Sequence, residues 1–317
     1  HYPLRRQRQM CIRDRYNYQL KGLGLTPAQA TIEANKQLVA PGAAGGLGYP
    51  IFTVPNGEQL IGEDGRMNPH ATLGRVIEHN GKRYTILPDD WKSLAFRNGL
   101  RKEYDINLTG GSDKMQYYLS LGYLNNEGVA YHSDFERITV RAKADYEARK
   151  WLKVGTNMNF SRAKYHVIPS DDNGLFYQLN NVAPIYPAFI RDEQGNIMTD
   201  ENGQMYDYGN GSVIGLRRPT LPNINPLQEN ALNTNSSKVN MYSLYGYANI
   251  MPLEGLKITL NGTVTVNNLR GTETKQPFYG YSHTAYPTGV VTRTSDQTFS
   301  YNCLLYTSPS PRDRTRS

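Results

Sequence analysis

Long apolar runs are absent from this 317-residue sequence. No segment has the roughly 18 to 20 consecutive apolar residues that a membrane-spanning helix requires. That absence does not exclude membrane strands, which need only about ten residues in an alternating pattern. Phenylalanine is scarce at 8 residues, whereas tyrosine reaches 24. The excess of tyrosine favours β structure with water on one side and aromatic belts over a helical enzyme.

Cysteine is nearly absent, since the two that occur, Cys11 and Cys303, lie in the terminal segments 1–15 and 303–317. Those segments have no apolar period, carry most of the net charge of +7, and resemble translated sequencing adapters. Disordered basic tails are the alternative interpretation; we predict that both segments are non-native. The rest of the chain offers no thiol chemistry and no clustered basic face for nucleic acid. The lack of a signal peptide fits a chain truncated at both ends.

Motifs of catalysis and of metal binding are also missing. The histidines are scattered and form no H-E-x-x-H or i, i+4 pair. Asp171-Asp172 and Asp89-Asp90 have no fixed separation that would indicate a glycosidase acid pair. The segment 191–204 repeats Asp-Glu-x-Gly, and we interpret it as two turns because the spacing of a calcium loop fails. We therefore predict no enzyme activity, no cofactor and no metal site.

Period-two segments begin at Arg101, after one predicted helix at 26–39 and a stretch rich in Gly, Pro and Asn at 41–90. Thr26 can cap this helix, and Pro27 suits its first position. In each later segment apolar and polar residues alternate, which predicts strands with one apolar face. The segments are YDINLTG (104–110), KMQYYLSLGYL (114–124), ERITVRAKADY (136–146), LKVGTNMNF (152–160), KVNMYSLYGYANI (238–250), LKITLNGTVTV (256–266) and QTFSYN (297–302).

The connections between these strands alternate in length. Tight turns follow the first, third and fifth strands, whereas the predicted loops 163–237 and 269–294 are long. Membrane barrels sort their connections in this way, with short periplasmic turns and long extracellular loops. A soluble sandwich has no reason to do so.

Aromatic residues lie at or near the strand ends, where the interfacial belts of membrane barrels occur. Trp151, which opens a strand directly after Arg149-Lys150, is the sharpest case. A β-sandwich spreads its large aromatics through its core instead. We therefore predict an all-β fold, a partial transmembrane antiparallel β-barrel in which about seven strands form an open curved sheet. A soluble β-sandwich that binds glycans is the alternative.

Residues 97–161 resemble the SusC/RagA family of TonB-linked outer-membrane proteins. The resemblance consists of a G-G-S-x-K turn, Y-Y-x-S-x-G-Y, an N-x-E-G loop, S-D-F-x-R and W-L-K-V-G, found here at Gly110 to Lys114, Tyr117 to Tyr123, Asn126 to Gly128, Ser133 to Arg137 and Trp151 to Gly155. A weaker resemblance extends over about 16–302. It implies that 16–100 belongs to an extracellular region and that 101–302 supplies barrel strands and long loops.

The resemblance implies import of large nutrients across the outer membrane of Bacteroidetes-type bacteria, of oligosaccharides first and peptides second. It implies a SusD-like surface lipoprotein as partner and the TonB–ExbB–ExbD system as energy source, with outer-membrane lipid around the strands. A siderophore-type receptor is the alternative within this class. Tyrosines of the long loops suit sugar rings or a protein lid, and we name six as candidate contacts: Tyr177, Tyr186, Tyr206, Tyr208, Tyr279 and Tyr281.

Overall fold

The computed structural model describes residues 12–40, 46–168, 174–201 and 203–308, without the side chains of residues 281, 282 and 308. These residues form two compact units. The mixed unit takes the described parts of His1–Phe96, Pro169–Asn233 and Lys275–Gly289. The sheet unit takes the described parts of Arg97–Ile168, Thr234–Thr274 and Val290–Ser317. The adapter-like segments 1–15 and 303–317 lie mostly outside the described residues, and their origin stays a prediction.

Seven antiparallel strands form the sheet unit, each paired with its neighbours in sequence. The strands are β1 Arg101–Ser112, β2 Met115–Glu127, β3 Asp134–Arg149, β4 Leu152–His166, β5 Thr234–Leu253, β6 Leu256–Lys275 and β7 Val290–Ser308. β1 and β7 are the two edges of the sheet, so it is open. The predicted open sheet of seven strands is confirmed.

The strands are longer than the sequence pattern predicts. β6 continues to Lys275 and β7 begins at Val290, so the connection predicted at 269–294 is shorter, at residues 276–289. Residues 270–274 show no alternation of apolar and polar residues, yet they pair in register with β5. Backbone pairing with an existing strand therefore extends β6 where the side-chain pattern gives no signal.

Short helices and hairpins build the mixed unit. The predicted helix at 26–39 is present at Pro27–Val39, where Thr26 and Gln29 form a capping box. Further helices of the described residues include a π-helix at Tyr18–Gly22 and α-helices at Trp91–Ala95, Leu175–Asn181, Pro226–Leu232 and Gly280–Ala285. Small hairpins pair Phe52–Thr53 with Thr72–Leu73, Arg75–His79 with Lys82–Ile86, and Thr199–Asp200 with Gly203–Gln204.

The hairpin at 75–86 lies in the stretch that the sequence predicts to be mostly irregular. Asn80 and Gly81 both have positive φ, at 51° and 71°, as a two-residue hairpin turn requires. The Asn-Gly pair between Val76-Ile77 and Tyr84 was therefore a usable signal. The two Asp-Glu-x-Gly repeats also form turns, in which Gly195 and Gly203 have positive φ.

The mixed unit has its own apolar core. The Pro27–Val39 helix buries Ala30, Ala34 and Leu38, and the later segment buries Ile185, Tyr186 and Ile190. The Trp91 indole nitrogen donates a hydrogen bond to the Tyr186 carbonyl at 2.9 Å. The long connection between β4 and β5 is thus largely a folded part of this unit.

Candidate functional site

The cross-strand register joins the predicted apolar residues into one face of the sheet. Residues opposite one another across antiparallel strands point to the same side. The central row of this apolar face runs across six strands through Leu108, Leu119, Ala142, Met158, Leu244 and Val264. Parallel rows above and below it place Ile138, Val140, Leu152, Val154, Ile258 and Leu260 on the same face.

The large side chains of the apolar face are exposed. Ile106 is 62% exposed, Leu121 45% and Leu244 51%. A soluble β-sandwich would bury these side chains against a second sheet, so their exposure contradicts the sandwich alternative. Exposed apolar area on this scale requires a nonpolar surrounding, which hydrocarbon chains provide.

Aromatic residues border the apolar face at both ends of the strands. At the long-loop end, Tyr104 stacks on Tyr123 with ring centroids 6.4 Å apart. Nearer the central row, Phe160 contacts Tyr242 with ring centroids 5.0 Å apart. Tyr117, Tyr146 and Trp151 lie at the short-turn end and are exposed. Eight residues separate Met115 from Tyr123, which is roughly 26 Å along a strand and about 20 Å of height at ordinary tilt. This height agrees with a membrane-spanning band.

The opposite face of the sheet is polar and has its own hydrogen bonds. The Tyr247 hydroxyl donates to Asp145 Oδ1 at 2.5 Å, and Lys143 Nζ lies 3.1 Å from Asp145 Oδ2. The Tyr118 hydroxyl donates to Asn107 Oδ1 at 2.9 Å. Apolar and polar faces of this kind are typical of a membrane barrel with a wet interior.

A glycine leaves room for one of these polar contacts. A Cβ at Gly155 would lie 2.2 Å from the Tyr247 ring and 2.5 Å from Asp145 Oδ1. We expect Gly155→Ala to displace the ring and cost about 1–3 kcal/mol. Thermal unfolding of the folded protein in detergent, followed by circular dichroism, measures this loss.

Gly246 is the matched control for Gly155 on the neighbouring strand. An added Cβ there has its nearest neighbour, the Gly155 carbonyl oxygen, at 3.9 Å, which is ordinary contact. Gly246→Ala should therefore unfold close to the unsubstituted protein. Equal losses in the two variants would show that the ring of Tyr247 is not what requires glycine at position 155.

A buried polar network organises the mixed unit. The Tyr49 hydroxyl donates to Asp207 Oδ2 at 2.8 Å, and the Gly209 N–H donates to Asp207 Oδ1 at 2.9 Å. Burial raises the pKa of Tyr49 well above its usual value, so the hydroxyl keeps its proton. Burial also raises the pKa of Asp207, while the charge of the buried Arg218 opposes this shift. No pattern in the sequence indicates this network, because Tyr49 lies 158 residues from Asp207.

The structure separates the six candidate tyrosines into different surroundings. Tyr186 is 1% exposed and donates its hydroxyl to the Leu47 carbonyl at 3.1 Å, so it is a core residue with no surface for a ligand. Tyr206 is half-buried against Phe189, with ring centroids 5.0 Å apart. Tyr177 is 47% exposed on the Leu175–Asn181 helix. The side chain of Tyr281 lies outside the described residues.

Tyr208 and Tyr279 are the candidates that the fold brings together. Their rings stack with centroids 6.2 Å apart and an interplanar angle of 7°. Burial, followed by the charge of Glu229, raises the pKa of Tyr208, so its hydroxyl stays protonated. Phe278, next to Tyr279, is 70% exposed. These rings form an aromatic cluster that joins the segment 276–289 to the segment 203–233.

An apolar cavity of about 180 Å³ lies elsewhere in the mixed unit. Its wall is mostly aliphatic and aromatic, and Arg75 and Glu58 are among the lining residues. Hydrogen bonds from Asn68 and from His70 lower the pKa of Glu58, so this carboxylate is ionised at neutral pH. The sequence did not indicate this cavity.

The described residues contain neither a cluster of metal ligands nor a helix that could span a membrane. Within these residues, no group of three or more His, Cys, Asp or Glu side chains is arranged to hold a metal ion. None of the helices in the described ranges is long and apolar enough to cross a membrane. Asp171 and Asp172, considered above as an acid pair, lie outside the described residues.

Comparison with known proteins gives several TonB-dependent receptors as relatives. The chain is 30% identical over 184 residues to TonB-dependent receptor P26 of Formosa agariphila, a match that covers 58% of this chain and 16% of that protein. It is 29% identical over 76 residues to TonB-dependent receptor SusC of Bacteroides thetaiotaomicron, covering 24% of this chain and 8% of SusC. No protein-family model matches the chain. The chain thus corresponds to a small part of the length of these relatives.

Solved structures agree on the fold. The match to the RagAB peptide transporter covers 69% of this chain and 23% of the transporter chain, with a TM-score of 0.52 and 22% identity. The match to the RagAB peptide importer in its open-open state covers 73% of this chain and 23% of the importer chain, with a TM-score of 0.52 and 21% identity. In sequence and in fold, the chain is related to the SusC/RagA type of TonB-dependent receptor, a class of outer-membrane β-barrel proteins.

Proposed function

We propose that this chain supplies barrel strands and external residues to a TonB-dependent importer of large nutrients. The observation that carries the proposal is the exposed apolar face, which six registered strands share and aromatic residues border at both ends. The polar face behind it suits the wet interior of a transport barrel. Such a protein binds a nutrient and lets it pass through the barrel, and it catalyses no covalent reaction.

Two sets of partners belong to this proposal. A SusD-like surface lipoprotein covers the external side and holds the substrate, and the TonB–ExbB–ExbD system supplies energy from the inner membrane. The relationship to SusC and the likeness to RagAB support these partners. Co-purification of a SusD-like lipoprotein with the full-length receptor, identified by mass spectrometry, tests the first. Loss of uptake in cells without TonB tests the second.

Oligosaccharides are the substrate class that we propose first. Tyr208 and Tyr279 stack beside the exposed Phe278, and flat aromatic faces bind the apolar faces of sugar rings. Tyr177, Tyr206 and Tyr281 remain further candidate contacts on the same unit. Tyr186 is excluded from this group because its side chain is buried.

A tyrosine substitution tests the oligosaccharide proposal. We expect Tyr279→Ala to weaken oligosaccharide binding by the full-length receptor about tenfold, which is a typical loss when one aromatic contact is truncated. Isothermal titration with oligosaccharides of different linkage measures the affinity. Tyr18→Ala is the control, since Tyr18 is 57% exposed on the same unit and lies outside the cluster. Equal affinity of Tyr279→Ala and the unsubstituted receptor would contradict this role of the cluster.

Peptides are the second substrate class, and the apolar cavity favours them. A volume of about 180 Å³ accommodates one apolar side chain, and Arg75 and Glu58 can pair with the charged groups of a peptide. Uptake of labelled peptides and of labelled oligosaccharides by the same cells separates the two classes. Uptake of iron–siderophore complexes alone would instead support the siderophore-type alternative.

A further inference from the structure

Three adjacent strands carry cations near their long-loop ends, beyond the register row that holds Tyr104 and Tyr123. Lys164 on β4 lies opposite Lys238 on β5, and Lys238 lies opposite Arg270 on β6. Arg162 occupies the next position toward the apolar band on β4. We call these four residues the cationic row: Arg162, Lys164, Lys238 and Arg270.

The cationic row lies on the apolar face and not on the polar one. Side chains along a strand alternate between faces, so Arg162 and Lys164 share the face of Phe160, two and four residues away. Phe160 contacts Tyr242 across the strands at 5.0 Å, which fixes that face as the apolar one. Lys238 lies four residues from Tyr242, and Arg270 four residues from the apolar Val266.

Acidic side chains of the protein balance the charge of these cations only in part. In the part of the chain that the structure describes, none of the four forms an ion pair with an acidic side chain. Glu136 on β3 is an acid that lies directly opposite Lys164 on β4. Like charges directly opposite one another on adjacent strands destabilise a sheet. Three adjacent cations in this register therefore carry a cost that bound anions would remove.

The height of the cationic row matches the headgroups of a membrane. Lys238 lies six residues from Leu244 of the central row, which is about 20 Å along β5 and roughly 14 Å of height at ordinary strand tilt. Half of the apolar band is about 12 Å, so this height lies just outside the hydrocarbon, in the headgroup layer. In a barrel the long loops are extracellular, which places this layer in the outer leaflet.

We propose that the cationic row binds the phosphate groups of anionic lipids in the outer leaflet of the outer membrane. Guanidinium and ammonium groups are the donors that phosphate oxygens prefer, and Arg270 can bind them in a bidentate manner. The binding is electrostatic, so it weakens as salt increases. The proposal concerns the contact with lipid and does not depend on which nutrient is imported.

Lipid retention by the full-length receptor tests the proposal. The variant Lys164→Gln/Lys238→Gln/Arg270→Gln removes three cations from the apolar face. The receptor is reconstituted in vesicles of phosphatidylcholine alone or of an equimolar mixture with lipid A, and native mass spectrometry counts the lipid A that remains bound. Each cation near an anionic surface contributes roughly a fivefold gain in affinity, so we expect about a hundredfold weaker binding.

The matched control removes equal charge from the opposite face of the same sheet. Arg137→Gln/Arg141→Gln/Lys153→Gln changes three cations of the polar face, and lipid A should stay bound to this variant. Circular dichroism in the vesicles confirms that both variants are folded.

Undiminished lipid A on the first variant, or equal loss from both, would overturn the proposal. Displacement of lipid A by millimolar inorganic phosphate would also overturn it, because the site would then select free phosphate. If the unsubstituted receptor binds lipid A but takes up no nutrient, that result counts against the proposed import function alone.

Discussion

The variant Leu244→Arg should refold into lipid vesicles with a much smaller folded fraction than the unsubstituted protein. Leu244 is 51% exposed and lies in the central row of the apolar face. A guanidinium at this depth has no water, and Arg or Lys on the lipid face of a barrel costs about 2–4 kcal/mol at the bilayer midplane. We measure the folded fraction by circular dichroism and by protease resistance after refolding into lipid vesicles.

Ser243 provides the control for Leu244 because it is the neighbouring residue on the polar face. Its hydroxyl lies 3.3 Å from the Thr265 hydroxyl, among other polar side chains. Ser243→Arg adds the same group to the wet side of the same strand, and we expect nearly normal refolding. If Ser243→Arg fails as completely as Leu244→Arg, or both refold normally, hydrocarbon does not surround the apolar face.

The sheet was predictable because its signal is local. Alternation in segments such as 136–146 depends on one strand at a time, and the face of every strand follows from its own residues. The ends of the strands were not predictable in this way. β6 runs to Lys275 through residues that show no apolar–polar alternation, and pairing with the neighbouring strands holds them in the sheet. Strand length here is a property of the partner strand.

The mixed unit was less predictable, because contacts between distant segments hold it together. Tyr49 and Asp207 are 158 residues apart, and no pattern around either residue predicts their hydrogen bond. The same distance effect explains Tyr186. The residues around it, APIYPAF (183–189), show no alternation of apolar and polar residues, yet Tyr49 from elsewhere in the chain packs against its ring at 5.2 Å. The alternation of apolar and polar residues along one segment does not predict burial by segments that are distant in the sequence.

The cationic row shows what register adds to a sequence pattern. Lys164, Lys238 and Arg270 lie on three strands, and each alone is an ordinary strand-end cation. Their adjacency follows only from the pairing of β4 with β5 and of β5 with β6. Function that arises from neighbouring strands therefore requires the structure, even where each strand is evident in the sequence.

Removal of the Asp89 carboxylate should have the largest effect in the mixed unit. Asp89 accepts hydrogen bonds from Arg191 Nη2 at 2.5 Å, from Arg191 Nη1 at 3.0 Å and from the Ala188 N–H at 2.7 Å. The side chains of Arg191 and Asp89 are 11% and 12% exposed. Asp89→Ala leaves a nearly buried guanidinium and backbone N–H groups without their acceptor, which costs about 3–5 kcal/mol. Hydrogen exchange of residues 184–193, followed by mass spectrometry, should accelerate by more than a hundredfold.

Arg83 and Glu193 provide an internal comparison, since they join the same two segments at the surface. Their charged atoms are 2.5 Å apart, but the side chains are 55% and 41% exposed. An exposed pair is worth about 0–1 kcal/mol because water screens it, so Arg83→Ala should change exchange less than tenfold. Asp89→Asn keeps an acceptor for the N–H groups and should lie between the two. Equal exchange in Asp89→Ala and Arg83→Ala would mean that burial does not strengthen the Asp89–Arg191 pair, and that the apolar core alone holds these segments together.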